Sequence, residues 1–205
     1  MNIKNLIFDL GGVIVDIDPQ RTVKAFTDLA GDKASELEQL FFTSDFFLDY
    51  EKGLISEKEF HAGLDQHMEK PLSFETLENA WNAMIIDIPM DRINLLRELK
   101  EKYNLLVLSN TNSIHMRYAK GVLNERGVSD FSALFDFVYY SHEVNLRKPE
   151  KAIYEHVVHH SNIQASETLF LDDDKMNLLS AEEIGINTLH ITDPAIIFNH
   201  FNGAK

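Results

Sequence analysis

Short, almost wholly apolar runs recur along the chain and predict buried strands. They occupy residues 6–8, 105–108, 137–140, 169–171 and 188–191. Runs this short, with little alternation of polar residues, are typical of a parallel sheet that helices cover on both faces. We therefore expect five strands in one buried sheet.

Helical patterns separate most of these runs. Apolar residues recur at helical spacing in three stretches, which comprise Ile93, Leu96, Leu99 and Tyr103; Ile153, Val157 and Val158; and Leu178, Leu179, Ala181 and Ile184. The third stretch ends at Gly185, a residue type that often follows the last turn of a helix. Alternating strands and helices predict a doubly wound, Rossmann-like α/β core.

The interval 16–88 breaks this alternation, because it contains helix starts but no strand-like run. Asp18 and Pro19 have the residue types of an N-cap and a first helical turn, and the sequence Ser-Glu-Lys-Glu at 56–59 is a capping box. Ser73 precedes a further apolar stripe, which is made of Leu77, Trp81, Met84, Ile85 and Ile88. This interval is therefore predicted to be helical.

The 205 residues are enough for a sizeable core domain with a smaller insert. We predict that residues 1–15 and 89–205 form the core. Residues 16–88 would then form a helical insert between the first and second strands of the sheet.

Composition and charge narrow the classes of function. The chain has no Cys, which excludes disulfide frameworks, zinc fingers and thiol catalysis. Its formal net charge of −14 repels nucleic acids and anionic lipid surfaces, so we expect neither as a partner. We recognise no secretory signal and no stretch apolar enough to span a membrane, and we expect a cytoplasmic location.

Residues that carry chemistry directly follow three of the predicted strands. Asp9 follows the first strand and precedes a pair of glycines, Ser109 and Asn110 follow the second, and Asp172 and Asp173 follow the fourth. In open parallel sheets, ligands bind beyond the carboxyl ends of the strands. We therefore expect these side chains to converge there.

Together these groups have the chemistry of a phosphoryl-transfer centre. Neighbouring carboxylates cannot all ionise without cost unless a cation lies between them, and oxygen ligands favour Mg²⁺. The Ser109 hydroxyl can donate to a phosphoryl oxygen, and Lys148, which precedes the fourth strand, can supply a positive charge. Alone, Asp9 would be a turn residue and Lys148 a surface lysine, so it is the combination that indicates catalysis.

In their order along the chain, four stretches resemble the four motifs of the haloacid dehalogenase superfamily, and the helical insert resembles the cap of that superfamily. The stretches are residues 8–14, 108–112, 147–149 and 171–174. Residues 9–18, together with 108–112 and 147–149, are also similar to the α-D-glucose-1-phosphate phosphatase branch. The resemblance implies a Rossmann-like sheet with the strand order 3-2-1-4-5.

The resemblance also implies a role for each matching residue. Asp9 would be the nucleophile that forms a phosphoaspartyl intermediate, and Lys148 would neutralise charge on it and on the transferred group. The cofactor would be Mg²⁺, bound by Asp9, the Gly11 carbonyl and Asp173. Asp172 would bind the metal as well or position a metal-bound water.

The remaining implied roles concern the phosphate and the substrate. Ser109, the backbone of Asn110 and Lys148 would hold the phosphoryl oxygens. Weaker candidates, for supporting contacts or for substrate binding, are Asn112, His115, Asn177 and Asp16.

Gly11 departs from the family pattern, because most phosphatases of the superfamily have a general-acid Asp at that place. A general acid is worth roughly 10²–10⁴-fold in rate. Three explanations are open. The leaving group could need little protonation, as is the case for the anomeric oxygen of a sugar 1-phosphate. Another carboxylate, such as Asp16 or Asp18, could act as the acid, or the reaction could be dehalogenation. The acidic residues 172–174 argue against dehalogenation, which needs no Mg²⁺.

The sequence thus predicts an Mg²⁺-dependent phosphatase of a small phosphomonoester, with a sugar phosphate such as α-D-glucose 1-phosphate as one candidate substrate. Two alternatives stay open at this stage. Gly11 fits a regulatory protein that binds a phosphorylated metabolite with weak turnover. A metal-independent haloacid dehalogenase is the less favoured alternative.

Overall fold

The computed structural model describes residues 2–202, except the side chains of Phe42, Thr43 and Asn202. The strands in this range are β1 Asn5–Phe8, β2 Asp16–Ile17, β3 Ile85–Asp87, β4 Asn104–Ser109, β5 Phe137–Tyr140, β6 Thr168–Asp172 and β7 Asn187–His190. The α-helices are α1 Pro19–Ala30, α2 Ala34–Thr43, α3 Phe46–Glu51, α4 Glu57–Asp65, α5 Phe74–Asn82, α6 Met90–Lys100, α7 Ser113–Glu125, α8 Ser141–Val144, α9 Lys151–His160, α10 Lys175–Glu182 and α11 Ala195–Asn202. Within residues 2–202, no helix combines the length and the apolarity that a membrane crossing requires.

Five strands form one parallel sheet in the order β5-β4-β1-β6-β7. Counted along the strands of this sheet, the order is 3-2-1-4-5, so the predicted α/β topology is confirmed. The central strand β1 ends at Phe8, which pairs with Val107 of β4 and with Leu171 of β6. The carboxyl ends of these three strands therefore lie at the same edge of the sheet.

Apolar clusters cover both faces of β1, which explains why its sequence shows no polar alternation. Leu6 and Phe8 are buried on one face in a cluster with α6, α7 and α11. Ile7 is buried on the other face in a cluster with α9 and α10. Because successive side chains of a strand point to opposite faces, every side chain of β1 has to be apolar or to have a hydrogen-bond partner.

Helices α1–α5, which lie between β2 and β3 in the chain, pack around a second apolar cluster, to which α7 contributes Ile114. Its centre is aromatic: the ring centroids of Phe60 and Trp81 lie 4.8 Å apart, and those of Phe47 and Trp81 lie 5.8 Å apart. Large aromatic side chains contribute most of the buried area in such a cluster. Residues 16–88 thus have the apolar content to fold against themselves as well as against the sheet.

The predicted helix starts of this interval are present in the structure. The Asp18 side chain accepts a hydrogen bond from the Gln20 amide at the start of α1. Ser56 and Glu59 form the complete capping box of α4, and Ser73 caps α5. Each cap satisfies amides that the first helical turn leaves without partners.

Two short strands correct the prediction that residues 16–88 are helical throughout. β2 and β3 pair in antiparallel fashion, with Asp16 opposite Asp87. The apolar stripe from Leu77 to Ile88 was expected to lie on one helix. Helix α5 ends at Asn82, however, and Ile85 lies in β3. Strands of two or three residues are too short to show a periodic pattern, so tertiary pairing determines them.

Candidate active site

Asp9, Ser109 and Asp172 meet at the carboxyl edge of the sheet because their strands are neighbours. Asp9 directly follows β1, whereas Ser109 and Asp172 are the last residues of β4 and β6. All three residues are buried. The Asp9 amide donates to the Leu171 carbonyl over 2.9 Å, which extends the pairing of β1 and β6 up to the site.

Lys148 is the cation of this site. Its Nζ lies 2.9 Å from Oδ1 of Asp9 and 2.6 Å from Oδ2 of Asp172, and the residue is 1% exposed. Burial acts to lower the pKa of Lys148, but the two carboxylates outweigh burial, and the pKa lies above its usual value. Lys148 therefore keeps its charge and links the first and fourth motifs electrostatically.

Asn110 holds the backbone of Lys148 in place. Its Nδ2 donates to the Lys148 carbonyl and its Oδ1 accepts from the Lys148 amide, each over 2.9 Å. The two bonds use both ends of the amide side chain. The Asn110 side chain thus positions Lys148, which leaves the Asn110 backbone for the predicted contact with a phosphoryl oxygen.

Three carboxylates converge beside Lys148. One oxygen from each of Asp9, Asp172 and Asp173 lies within 4.8 Å of the others. Burial raises the pKa of Asp9 to about 7; Lys148 opposes this rise and Asp172 adds to it. Burial, and then the charge of Asp172, also raise the pKa of Asp173. The ionised site carries three negative charges against one positive charge, so a further cation would stabilise it.

The donors of this cluster fit Mg²⁺. They are hard carboxylate oxygens on a rigid sheet edge, which suit a small divalent cation. Gly12 leaves room for them: its φ is +69°, and a Cβ at this position would lie 2.3 Å from Oδ2 of Asp173. A side chain at residue 12 would therefore displace the Asp173 carboxylate, and only glycine permits the close approach at this backbone conformation.

Asp172 is the most constrained carboxylate of the cluster. Oδ1 accepts from the Asp174 amide over 2.8 Å, and the Asn177 side chain donates to both oxygens, over 3.0 and 3.2 Å. Together with Lys148, these donors satisfy both oxygens of Asp172. The sequence suggested that Asn177 supports the site, and the structure places Asn177 against Asp172. The ion pair of Asp172 with Lys148 was not predicted, because the resemblance assigned Lys148 to Asp9 and to the transferred group alone.

Asn112 and His115 lie between the sheet and the insert. The Asn112 side chain caps α7 by accepting from the His115 amide over 3.1 Å, and it also accepts from Nε1 of Trp81 over 3.2 Å. The His115 ring stacks on Trp81 at 5.3 Å, and its Nδ1 bonds to Oδ1 of Asn82 over 2.9 Å. Burial lowers the pKa of His115 to about 3, so the ring is neutral near neutral pH.

The two carboxylates considered as replacements for a general acid at Gly11 are both engaged elsewhere. Asp16 lies 2.7 Å from Nη2 of Arg92, a buried arginine at the start of α6. Asp18 caps α1 and lies 3.6 Å from Nε of Arg21. These contacts join β2 and α1 to their surroundings, and they favour a structural role for both residues.

A small cavity adjoins the site at the junction of insert and sheet. Its volume is about 80 Å³. The lining residues are Leu10, Gly11, Val15, Ile17, Met84, Ile85, Ser109, Asn110, Thr111, His115, Met116 and Ala119. Most of these side chains are apolar, and the sequence did not identify the apolar ones as site residues. A hydrophobic pattern does not distinguish a residue of a packed core from one that lines a cavity.

The fold is a Rossmann-like parallel sheet with a helical insert after its first strand, and the carboxylate–lysine cluster has the chemistry of a phosphoryl-transfer hydrolase. A family model for haloacid dehalogenase-like hydrolases matches residues 3–185. The chain belongs to the haloacid dehalogenase-like hydrolase family, as its sequence motifs indicated.

Relatives within the family include phosphatases. D-ribitol-5-phosphate phosphatase of Bacteroides thetaiotaomicron is 30% identical over 186 residues, which cover 91% of this chain and 90% of that protein. A HAD family enzyme of the same organism, crystallised with magnesium and inorganic phosphate, is 36% identical with a TM-score of 0.84, covering 92% of this chain and 93% of the other. An L-2-haloacid dehalogenase of Xanthobacter autotrophicus is 15% identical with a TM-score of 0.60, covering 99% of this chain and 84% of the other. This last likeness shows the fold alone.

Proposed function

We propose that the protein hydrolyses a small organic phosphomonoester by attack of Asp9 on phosphorus. The enzyme is a phosphoric monoester hydrolase of its family, and Mg²⁺ is its cofactor. The observation that carries the proposal is the contact of Lys148 Nζ with Oδ1 of Asp9, beside three carboxylates within 4.8 Å of one another. A nucleophile, a fixed cation and a cation-binding cluster are the requirements of phosphoryl transfer.

Asp9 is held ready for attack by its neighbours. Oδ1 accepts from the Leu10 amide over 2.7 Å and contacts Lys148 over 2.9 Å, which fixes the plane of the carboxylate. A fixed nucleophile loses little freedom on the way to the transition state. The Asp9 carboxylate forms a bond to phosphorus while the ester P–O bond breaks, and the leaving oxygen departs with the bonding electrons and takes a proton from water to become the alcohol.

Other residues of the site stabilise the charge that the transferred group carries. Ser109 and the Asn110 backbone hold phosphoryl oxygens, and Lys148 neutralises charge on Asp9 and on the phosphoryl group. Asp9, Asp173 and the Gly11 carbonyl would hold Mg²⁺, with Asp172 as a further ligand or as the group that positions a water. When bound, Mg²⁺ neutralises carboxylate and phosphoryl charge. Water then hydrolyses the acyl phosphate at Asp9, which releases phosphate and restores the carboxylate.

The substrate we propose is a phosphate ester of a small, sugar-sized molecule. The relative from Bacteroides thetaiotaomicron acts on D-ribitol 5-phosphate, an ester of a five-carbon polyol. Gly11 supplies no proton to the leaving oxygen, which favours esters such as α-D-glucose 1-phosphate, whose anomeric oxygen leaves without a strong acid. The earlier predictions of a cytoplasmic location and of no nucleic-acid or membrane partner stay predictions.

A panel of phosphomonoesters, assayed with Mg²⁺ and again with excess EDTA, tests the proposal. We expect phosphate release from at least one sugar-sized ester, and its loss with EDTA. Binding without phosphate release, favoured by the glycine at residue 11, would instead indicate a binding protein. Halide release from a 2-haloacid that is insensitive to EDTA would indicate a dehalogenase and overturn the proposal.

A further inference from the structure

The cavity beside the phosphate-binding residues is lined mainly by carbon, although the substrate carries a charged phosphate. Ser109 and Asn110 border the cavity, while Ile17, Met84 and Met116 are among its walls. Its volume of about 80 Å³ gives room for roughly two or three groups of water size. A group attached to the phosphate can therefore extend from the site into this space.

The walls come from three elements that meet at this point. Ile17 belongs to β2, Met84 lies one residue before β3, and Met116 lies on α7. Such walls offer no hydrogen-bond partners, so a hydroxyl placed against them would lose its bonds to water without replacement. A run of carbon placed there gains by leaving water.

His115 is the polar side chain of the α7 wall. The side-chain oxygen Oδ1 of Asn82 lies 2.9 Å from Nδ1 of His115, and because this oxygen can only accept, Nδ1 carries the proton of the ring. In the neutral ring Nε2 is then an acceptor, and within residues 2–202 no hydrogen-bond partner occupies it. The cavity thus combines mainly apolar walls with four polar lining residues, Ser109, Asn110, Thr111 and His115.

We propose that this cavity receives the leaving group of the substrate, and that the leaving group presents to it a run of carbon without hydroxyl groups. This inference rests on the proposed function and narrows its substrate class. A substrate whose carbons next to the ester carry no hydroxyl, such as a short alkyl phosphate or a deoxy-sugar phosphate, places those carbons against the apolar walls. A polyol phosphate or α-D-glucose 1-phosphate has a hydroxyl on nearly every carbon and would leave several hydroxyls without partners there. Among the esters considered under the proposed function, this inference therefore selects against these two.

A matched pair of five-carbon substrates tests the inference, namely n-pentyl phosphate and D-ribitol 5-phosphate. Both are primary esters, so they differ chiefly in the hydroxyl groups of the leaving group. We expect the wild-type kcat/KM to favour n-pentyl phosphate by about tenfold or more, the discrimination that an apolar pocket typically gives. In Met84→Gln, which keeps the length of the side chain but adds an amide, we expect this ratio to fall by about tenfold.

Two further variants complete the design. Met116→Gln makes the same change on a different wall and should lower the same ratio. Leu29→Gln, on the outer surface of α1, is the control and should leave the ratio unchanged. A wild-type preference for D-ribitol 5-phosphate, or a ratio that neither cavity variant alters, would overturn the inference while leaving the phosphatase intact. Absence of hydrolysis of any ester in the Mg²⁺ panel would instead overturn the proposed function itself.

Discussion

At the scale of single residues, Lys148 decides how much negative charge the site tolerates. It is buried between Asp9 and Asp172, both of which lie within 3 Å of its Nζ. Removing one partner of a buried ion pair leaves the other without compensation, which is more costly than never having formed the pair. The stability of the protein and its response to Mg²⁺ should therefore both depend on this side chain.

Replacing Lys148 with Met is predicted to lower kcat by about 10²–10³-fold, the usual effect of removing one group that stabilises transition-state charge. The variant should also gain more in melting temperature on addition of Mg²⁺ than the wild type does, because Asp9 and Asp172 then lack their cation. Turnover assays and thermal unfolding with and without Mg²⁺ measure the two effects. Lys151→Met, at an exposed position of α9, is the control, and equal behaviour of the two variants would contradict the role of Lys148.

Asp16 presents a different question, since it was one of the carboxylates considered as a general acid. The ion pair with Arg92 gives the Asp16 carboxylate a structural role. We therefore predict that Asp16→Asn retains kcat within about threefold and leaves the pH profile of kcat unchanged, whereas loss of a general acid would cost at least about 10²-fold. A fall of that size, with the acidic or basic limb of the profile lost, would show that Asp16 transfers the proton.

His115 makes the stability of the fold depend on pH. Its pKa is about 3 in the folded protein, whereas an unfolded histidine titrates near its usual value of about 6.5. The unfolded state therefore binds the proton first as pH falls, and folding stability contributed by the neutral ring is lost below about pH 6.5.

We expect this effect to cost about 1 kcal/mol of unfolding free energy between about pH 7.5 and about pH 5.5. In His115→Phe, which keeps an aromatic ring against Trp81, that part of the pH dependence should disappear. Urea titrations of both proteins at the two pH values give the comparison. An identical pH dependence in the two proteins would mean that His115 is not held neutral.

At the scale of elements, the sequence indicated the strands of the main sheet more completely than the junction with the insert. Runs such as 105–108 are buried on both faces, and burial leaves a direct mark on residue type. β2 and β3 leave no such mark, because a pairing such as Asp16 with Asp87 depends on where the chain returns after five helices. The same limit applies to the cavity, whose walls look like core residues in the sequence.

The candidate site likewise contains residues whose position the sequence predicted and contacts that it did not predict. Asp9 directly follows a strand and Ser109 and Asp172 each end one, so strand prediction and a rule about sheet edges were enough to bring them together. The hydrogen bonds of the Asn110 side chain to the backbone of Lys148 could not be predicted, because they depend on the path of a loop 38 residues away. Side-chain partners of this kind follow from tertiary structure alone.

Asn112 connects the two parts of the molecule at the start of α7. Its Oδ1 accepts both from the His115 amide and from Nε1 of Trp81, the aromatic centre of the insert. Asn112→Ala removes the helix cap and leaves the indole nitrogen without its partner, so we predict a loss of about 2 kcal/mol in unfolding free energy. Asn112→Ser keeps a cap but does not reach Trp81, and it should recover about half of that loss. Equal stability of all three proteins would contradict a link through Asn112.

At the scale of the whole molecule, an acidic surface surrounds a site that binds a phosphate. The formal net charge is −14, so the charge of the protein as a whole does not attract an anionic substrate. The attraction has to come from within the site, from Lys148 and from the cation that its carboxylates would hold. The ion pair of Arg117 with Glu57 joins α7, which starts beside the site, to α4 of the insert.

The most direct test of the account is Mg²⁺-dependent phosphate release by wild type and Asp9→Asn, with a good substrate from the phosphomonoester panel. The exposed Asp28→Asn is the matched control. We predict that wild type and Asp28→Asn release phosphate at equal rates, and that Asp9→Asn falls by at least about 10³-fold because an amide does not attack phosphorus. Full Mg²⁺-dependent turnover by Asp9→Asn would contradict the central claim.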